Sequence, residues 1–461
     1  MPRILVALIA TVVTCAAAIP LRGAAQAIPS ATPLATPQAI ASPSPSPAAS
    51  APPLVPAGVV PPDAAIELAG TNSPAFVTSR IERAIAEAAQ LQPGATVEVR
   101  GITIAQPLAP GVVLEARAQV QIDGHGRFAD VPGTTNVHVH VDALPELNPN
   151  LLFYSDDPEV LGANDDGVLF RGAFDILHPA RAYVYHVSRT PGRRIALLLQ
   201  ATATTRVQIL GAAAGPSNAW AYVGHLSTER YLLERGAQQS FVTTIGAGAP
   251  YVFPLGAFTQ QSQLLDAIYD LRVLQGGPVQ AVIVAVDAAT DPSGLLSQPQ
   301  LRGDGHGRRG EYGLVAVPPL ALSYVVGGAE PVPFAVGFPV VPNLLPGGRA
   351  LGGDYGVLRA VALTLTNPST IPQNVWLYEM LGNTGGGGTT TTIWFTGDPA
   401  PTQVPCIRTM QKRYLVKEFT LGPGEIRTVT GEYMTDGTSS FPLFFGLTRT
   451  APPVPEPHAC G

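Results

Sequence analysis

Glycine and proline set the strongest limit on this chain: 48 glycines and 47 prolines in 461 residues make about a fifth of it turn-formers. An interior glycine costs a helix about 1 kcal/mol relative to alanine, and an interior proline about 3 kcal/mol, so a mostly helical protein is excluded. Hydrophobic residues reach 46%, enough for a buried core, and a formal net charge of −6 is too small to hold the chain unfolded. What fits is a strand-and-turn protein of an extracellular kind, with two or three domains at roughly 150 residues each.

Charged residues are only 13% of the chain and are scattered. No basic stripe is present, so nucleic acid is not an expected partner. Lys412 and Lys417 are the only lysines among 27 basic residues, a bias that reads as composition rather than as a binding device. Cys15 falls in the leader, which leaves Cys406 and Cys460 as an even pair. In a secreted chain such a pair reads as a disulfide, here pinning the proline-rich tail to the last domain and contributing roughly 3–4 kcal/mol.

Residues 1–27 have the order of a secretory signal peptide: Arg3, an apolar stretch over 4–19, then Ala25-Gln26-Ala27 as the cleavage site. Lipidation at Cys15 is the rival reading, with Thr14 standing where such a site wants glycine or alanine. Residues 28–62 carry no charge and include the run Ser42-Pro43-Ser44-Pro45-Ser46-Pro47. A stretch of that composition buries no core, so it is expected to be a disordered, extended spacer that holds the folded part away from a membrane or wall. No other segment has the unbroken apolar length to span a bilayer, so no membrane span is expected in the mature chain.

The rest divides into a small α+β domain (63–149), a β-sandwich domain (150–319) and a second β-sandwich domain (320–461). In the first, Ser79-x-x-Glu82 reads as a capping box, with Ile81, Ile85, Ala88 and Leu91 at helical spacing before Pro93-Gly94. Short strands are expected over 96–100, 112–115, 119–122 and 136–141. The second region offers strands at 181–188, 195–200, 206–211, 241–245 and 279–286, with a short helix at 263–271. The third offers strands at 360–366, 374–380, 390–395, 426–433 and 443–447. The expected fold is therefore mainly β, with two antiparallel sandwiches.

The two sandwich regions also resemble each other. Asp166-Gly167-Val168-Leu169 matches Tyr355-Gly356-Val357-Leu358, and Arg230-Tyr231-Leu232 matches Arg413-Tyr414-Leu415. The strand pair 195–200 and 207–211 corresponds to 361–366 and 375–381. These matches point to a diverged duplication with hairpin insertions.

A family resemblance rests on several motifs. They are Leu151-Leu152-Phe153-Tyr154-Ser155-Asp156-Asp157-Pro158-Glu159 leading to Gly167-Val168-Leu169-Phe170, then Ala267-Ile268-Tyr269-Asp270-Leu271, Asp304-Gly305-His306-Gly307-Arg308 and Tyr355-Gly356-Val357-Leu358. Over roughly residues 95–450 the chain resembles uncharacterised secreted bacterial proteins, some labelled copper amine oxidase N-terminal domain proteins, and more distantly a cyanobacterial group without assigned function. The copper label belongs to a separate module that is not found in this sequence. The resemblance implies no catalytic residue.

Candidates for chemistry are few. His138 and His140 share one face of a strand, within reach of a single transition metal, while Val137, Val139 and Val141 face the other way. His125 or Asp142 is the nearest further ligand, and the alternative is that both histidines simply face solvent. No Asn-Tyr pair exists to supply a tyrosine-derived cofactor. Asp123-Gly124-His125-Gly126-Arg127 recurs as Asp304-Gly305-His306-Gly307-Arg308, so Asp123, His125, Asp304 and His306 are weak candidates for a ligand or metal; two tight turns are the plainer reading. Asp156, Asp157, Glu159, Asp165 and Asp166 supply oxygen for Ca²⁺ but lack a regular ligand spacing, and a solvated linker serves as well. Glu379, Asp354 and Glu432 are carboxylates that nothing in the sequence pairs as a glycosidase would require.

Trp220 with Tyr222, and Trp376 with Tyr378, stand two residues apart, so each pair would share a strand face and offer rings for stacking on sugars, or fill a core. The leading expectation is a non-catalytic, secreted or surface-associated structural or adhesive protein, with no resident cofactor. Its partners would be wall or matrix polysaccharide or neighbouring surface proteins. One alternative is a carbohydrate-binding protein using those aromatic pairs. A second is a metal-dependent extracellular enzyme built on His138 and His140.

Overall fold

Strands dominate because apolar residues recur at alternate positions. In Val131–Asp142, Val137, Val139 and Val141 are buried while His138 and His140 face solvent. The computed structural model describes residues 54–305, 307–315, 317–382 and 388–456. The signal peptide, the spacer up to residue 53, His306 and Cys460 lie outside these described residues. Residues 54–62, expected to belong to the spacer, are instead part of the folded body. Gly58–Val59 pairs antiparallel with Gln90–Leu91, and the amide of the buried Ala57 donates to the Ala129 carbonyl at 2.8 Å.

One sheet of eleven strands crosses the boundary expected at residue 149. Its main path runs Arg309–Gly313, Leu151–Ser155, Ala180–Ser188, Gln263–Gln275, Thr205–Ser217, Ser240–Ile245, Asp63–Ala69, Val131–Asp142, Val113–Asp123 and Thr96–Arg100. The join is the antiparallel pairing of Ser240, Phe241 and Val242 with Ala69, Leu68 and Glu67. The 63–149 segment is thus an extension of the first sandwich's sheet. Helix α1, Pro74–Ala88, covers that extension with Val77, Ile81 and Ile85. It starts earlier than the capping box at Ser79 implied: Ser73 caps it by accepting from the Phe76 amide, and Pro74 supplies a pre-formed first turn. Arg80 lies 3.5 Å over the Phe241 ring and Arg83 4.6 Å over Phe253, which ties the helix to the neighbouring sandwich.

The two sandwiches have the same topology. Opposite the long sheet stand Tyr251–Phe258, Arg193–Ala201, Val279–Asp287 and Gly167–Phe174; the second sandwich pairs a five-stranded with a four-stranded sheet. Number nine strands in chain order in each, from Leu151–Ser155 and from Leu320–Val325, leaving out the two-residue strand Val160–Leu161. Both then read first-third-eighth-fifth-sixth in one sheet and seventh-fourth-ninth-second in the other. In both, the first strand runs parallel to the third. The likeness expected between the two regions is thus present as a shared strand order. The residue matches made from sequence are displaced by one strand, because Arg193–Ala201 is fourth in its sandwich and Leu358–Thr366 third. Likewise Arg230-Tyr231-Leu232 lies in a helix and Arg413-Tyr414-Leu415 in a strand.

Two further corrections concern helices. Residues 263–271 form no helix but belong to the strand Gln263–Gln275, whose two faces are both buried, so its apolar run carries no period of two. Trp220 and Tyr222 are not on a strand; they open helix α2, Trp220–Gly236. This helix is inserted between the fifth and sixth strands of the first sandwich, where the second sandwich has only the short connection between Thr389–Phe395 and Thr402–Ile407.

Helix α2 forms the junction. Arg181, 1% exposed, bonds Asp270 (2.7 Å from Nε to Oδ1), the Tyr231 hydroxyl on α2, and the carbonyl of Gly356 in the second sandwich (2.9 Å). Tyr231 in turn donates to Asp270 at 2.8 Å. Farther along α2, Arg235 donates to Leu147 O, Glu146, Asn148 and Glu432. One buried guanidinium therefore touches the long sheet, the helix and the second sandwich.

Removing one member of a buried ion pair strands the other at a cost of about 3–5 kcal/mol. Arg181→Met is expected to lower the unfolding free energy from urea titration by that amount, and adding Asp270→Leu to recover part of it. An unchanged midpoint for Arg181→Met would show that the contact holds nothing together.

Candidate functional site

One hollow among the described residues lies in the second sandwich, beside the junction. Its floor begins with Asp354, a fully buried carboxylate whose Oδ2 accepts from the Gly337 amide (2.8 Å) and from Arg359 Nε (2.6 Å). Gly337 and Gly353 hold φ of +81° and +93°, where other residues are strained. A Cβ on Gly337 would come within 2.7 Å of the Gly353 nitrogen, and one on Gly353 within 2.8 Å of the Tyr355 and Phe441 rings. The glycines let the two loops lie against each other beneath the rings.

Above this floor Phe338, Tyr355, Phe441, Phe444, Val340 and Arg308 wall a cleft of about 640 Å³. That volume is within the roughly 300–1,000 Å³ of small-ligand sites. A second, apolar hollow of about 320 Å³ shares Val340 and is bounded by Val315, Val317, Pro339, Pro342 and Leu344. Phe338 is 58% exposed, so its ring is presented to solvent rather than spent in the core.

The cleft is anchored to the first sandwich by an aromatic column. Tyr183 stacks on Tyr154 with ring centroids 5.1 Å apart, Tyr154 on Tyr355 at 6.4 Å, and Tyr355 meets Phe441 edge-on at 5.3 Å. The hydroxyls turn inward: Tyr183 to Asp266, Tyr154 to Asp156, Tyr355 to the Ser439 carbonyl. Each ring can thus face its neighbour with its polar end satisfied.

A buried polar cluster lies under α2. His225 Nδ1 is 2.6 Å from Asp436 Oδ2, with Thr392 Oγ1 3.2 Å from the same nitrogen. Burial pulls the imidazole down, but the Asp436 charge and hydrogen bond more than offset it and leave its pKa raised. Asp266 is pushed well above the usual carboxylate range by burial, with Asp436 adding to it. Glu379 faces the interior of the second sandwich, opposite Phe445, and burial pushes it to about 8. In the matching fourth strand of the first sandwich, the inward residues are Ile195, Leu197, Leu199 and Ala201.

The residues singled out from the sequence are dispersed. His138 stands 3.6 Å from Glu115 and 3.9 Å from Asp63, and His140 3.1 Å from Asp142, all on the exposed face of the long sheet. Among the described residues no group of three or more His, Cys, Asp or Glu is placed to hold a metal ion. The first Asp-Gly-His-Gly-Arg turn closes the hairpin between Val113–Asp123 and Val131–Asp142. Asp123 accepts from the His125 amide (2.7 Å), Asp130 from Gly124 (2.9 Å), and His125 meets Thr96 at 3.0 Å. The second turn is at the opposite edge of the same sheet, ahead of Arg309–Gly313.

The acidic run holds that second turn in place. Asp157 accepts from the Asp304 amide (2.9 Å), Asp156 from the Arg308 amide (3.3 Å), and Asp304 itself accepts from the Val160 amide at 3.2 Å. Asp156 and Asp157 thus organise a turn and are not a solvated linker. Cys406 is buried on Thr402–Ile407, and its expected partner Cys460 is outside the described residues.

The aromatic pairs do not form one platform. Trp220 and Tyr222 are exposed in the first turn of α2, with Trp220 donating to the Ser262 carbonyl at 2.7 Å. Trp376 is half-buried and Tyr378 buried under Arg413. Nor do the three named carboxylates oppose one another. Asp354 is bound to Arg359, Glu432 to Arg235, and Glu379 is enclosed. What sequence reasoning missed is the cleft of Phe338, Tyr355, Phe441 and Phe444; the glycine-dense run Gly352-Gly353-Asp354-Tyr355-Gly356 was its only local signal.

No protein-family model matches the chain, and no curated protein does. Among solved structures it is similar to Lac15 from a marine microbial metagenome, at 10% identity and TM-score 0.12, covering 81% of this chain and 94% of that one. It is also similar to the CBM22-1-CBM22-2 tandem domain of Paenibacillus barcinonensis Xyn10C, at 6% identity and TM-score 0.12, over 78% and 84%. Similarity to the Clostridium perfringens ZmpB M60 catalytic domain with its CBM51-1 and CBM51-2 domains is at 7% identity and TM-score 0.15, over 76% and 43%. Scores of this size identify no shared site.

Glu379 supplies a pH test. Its folded pKa of about 8 lies above the 4.5 of a free glutamate, so the folded state keeps a proton that the unfolded state releases. Its contribution is therefore lost as pH rises from about 4.5 to about 8, amounting to about 3 kcal/mol by pH 7 at 1.36 kcal/mol per unit. Glu379→Gln should raise the melting temperature at pH 7.5 and barely change it at pH 4.5. An equal shift at both pH values would contradict this.

Proposed function

We propose that the chain is a non-catalytic, secreted glycan-binding protein that engages polysaccharide in the cleft beside the sandwich junction. The observation that carries the reading is the combination of the exposed Phe338 ring, three partly exposed rings and a preformed glycine floor in one hollow of about 640 Å³. Sugar rings present C–H faces that pack on aromatic surfaces, while their hydroxyls seek amides and charged groups at the rim. The cleft is preorganised by Asp354 and the tyrosine column, so little conformational freedom is lost when a ligand enters.

Binding to a panel of wall and matrix polysaccharides by affinity electrophoresis tests the idea. Phe338→Ala removes an exposed ring and should weaken retardation by about tenfold, with the melting temperature changed by less than about 1 °C, since surface substitutions rarely cost more than about 0.5 kcal/mol. Tyr222→Ala should leave retardation unchanged. Equal retardation of wild type and Phe338→Ala, or loss with Tyr222→Ala alone, would move the site away from the cleft.

A further inference from the structure

Arginines at the junction are almost all committed to protein partners. Arg309 donates to the carbonyls of Asp157, Leu169 and Leu301, and Arg349 to those of Gly305 and Gly307. Arg181, Arg235 and Arg359 are paired with Asp270, Glu432 and Asp354. Arg308 is different. Its backbone is fixed by Asp156 on both sides, the Arg308 amide donating to Oδ2 and its carbonyl accepting from the Asp156 amide. Its half-buried side chain reaches the cleft wall, passing within 3.9 Å of the Cβ position of Gly352. Among the described residues the guanidinium makes neither an ion pair nor a side-chain hydrogen bond. Among the described residues it is also the only charged one lining the cleft.

The acids nearest to it are also engaged elsewhere. Asp354 spends Oδ2 on Gly337 and Arg359. Asp156 is 7% exposed and is held by the turn that carries Arg308; burial and the nearby Glu159 raise its pKa well above the usual carboxylate range, against the opposing pull of the Arg308 amide and charge. A guanidinium offers a planar fork of donors that matches a carboxylate in two-point contact. Held among Phe338, Tyr355, Phe441 and Phe444, with water partly excluded, that fork would gain more from an anion than it would at an open surface.

Resting on the glycan-binding reading above, we infer that the cleft selects acidic polysaccharide, with the carboxylate of a uronic acid seated on Arg308 and the sugar ring on the aromatic wall. Neutral sugars would fill the hollow without satisfying the cation. The overall negative charge of the protein makes a local cationic seat a selective feature, because anionic polymers are repelled elsewhere.

Affinity electrophoresis with the full chain separates the outcomes, using polygalacturonate, its methyl ester, dextran and dextran sulfate. The expected result is retardation by polygalacturonate, with at least tenfold weaker retardation by the methyl ester and by dextran. Arg308→Gln should lose about ten- to a hundredfold for polygalacturonate, in line with a charge-assisted hydrogen bond, and Arg308→Lys less. Equal retardation by ester and acid, or an Arg308→Gln chain that behaves as wild type, overturns the inference while leaving glycan binding intact. Binding of dextran sulfate but not polygalacturonate overturns the choice of carboxylate. Retardation by none of the four, with the protein folded by its melting curve, removes the glycan-binding reading together with the inference.

Discussion

The buried guanidinium of Arg181 is the contact on which the rest of the arrangement depends. A cation with 1% exposure survives only if its donors are satisfied, and here the acceptors come from three places: Asp270 on the long sheet, Tyr231 on α2 and the Gly356 carbonyl of the second sandwich. Satisfying one side chain therefore fixes three elements at once. The Tyr183–Tyr154–Tyr355–Phe441 column runs alongside and adds apolar area to what would otherwise be a polar joint. Because Gly356 follows Tyr355 directly, the Arg181 bond also sets the ring that forms one wall of the cleft.

The shared strand order shows where the two sandwiches differ. Two sandwiches with one strand order differ at the junction: the first carries an inserted helix, the second carries Glu379 on an inward position where the first has aliphatic residues. The cleft also draws on both copies, since Arg308 precedes the last strand of the long sheet while Phe338, Tyr355 and Phe441 belong to loops of the second sandwich. A single sandwich would have neither the cation nor the supporting tyrosines.

The strands were the most legible part of the sequence. Alternation in 131–142 and in 360–366 survives because one face of each strand is polar or small. Where both faces are buried, as in Gln263–Gln275, the alternation vanishes and leucines fall by chance at helical spacing. Helix α2 was illegible for the opposite reason. Its buried side includes Ser227, Thr228 and Arg235, so it shows no apolar stripe even though it is packed on two sides. Displacement of the repeat by one strand has the same origin, because neighbouring strands share the same alternation and only pairing reveals their order. The cleft was invisible because its residues are spread over positions 308, 335–340, 352–355 and 441–444, and their meeting depends on the Asp354–Gly337 contact. Of the two Asp-Gly-His-Gly-Arg runs, the most conspicuous repeat in the sequence, one joins Val113–Asp123 to Val131–Asp142 and the described residues of the other precede Arg309–Gly313, at the far edge of the same sheet.

Hydroxyl-radical footprinting of the intact chain, with and without a uronic-acid oligosaccharide, tests the central claim most directly. The account predicts protection concentrated on Phe338, Tyr355, Phe441 and Phe444, with Trp220 and Tyr222 oxidised equally in both samples. Protection of Trp220 and Tyr222 with the four cleft rings unchanged would contradict it.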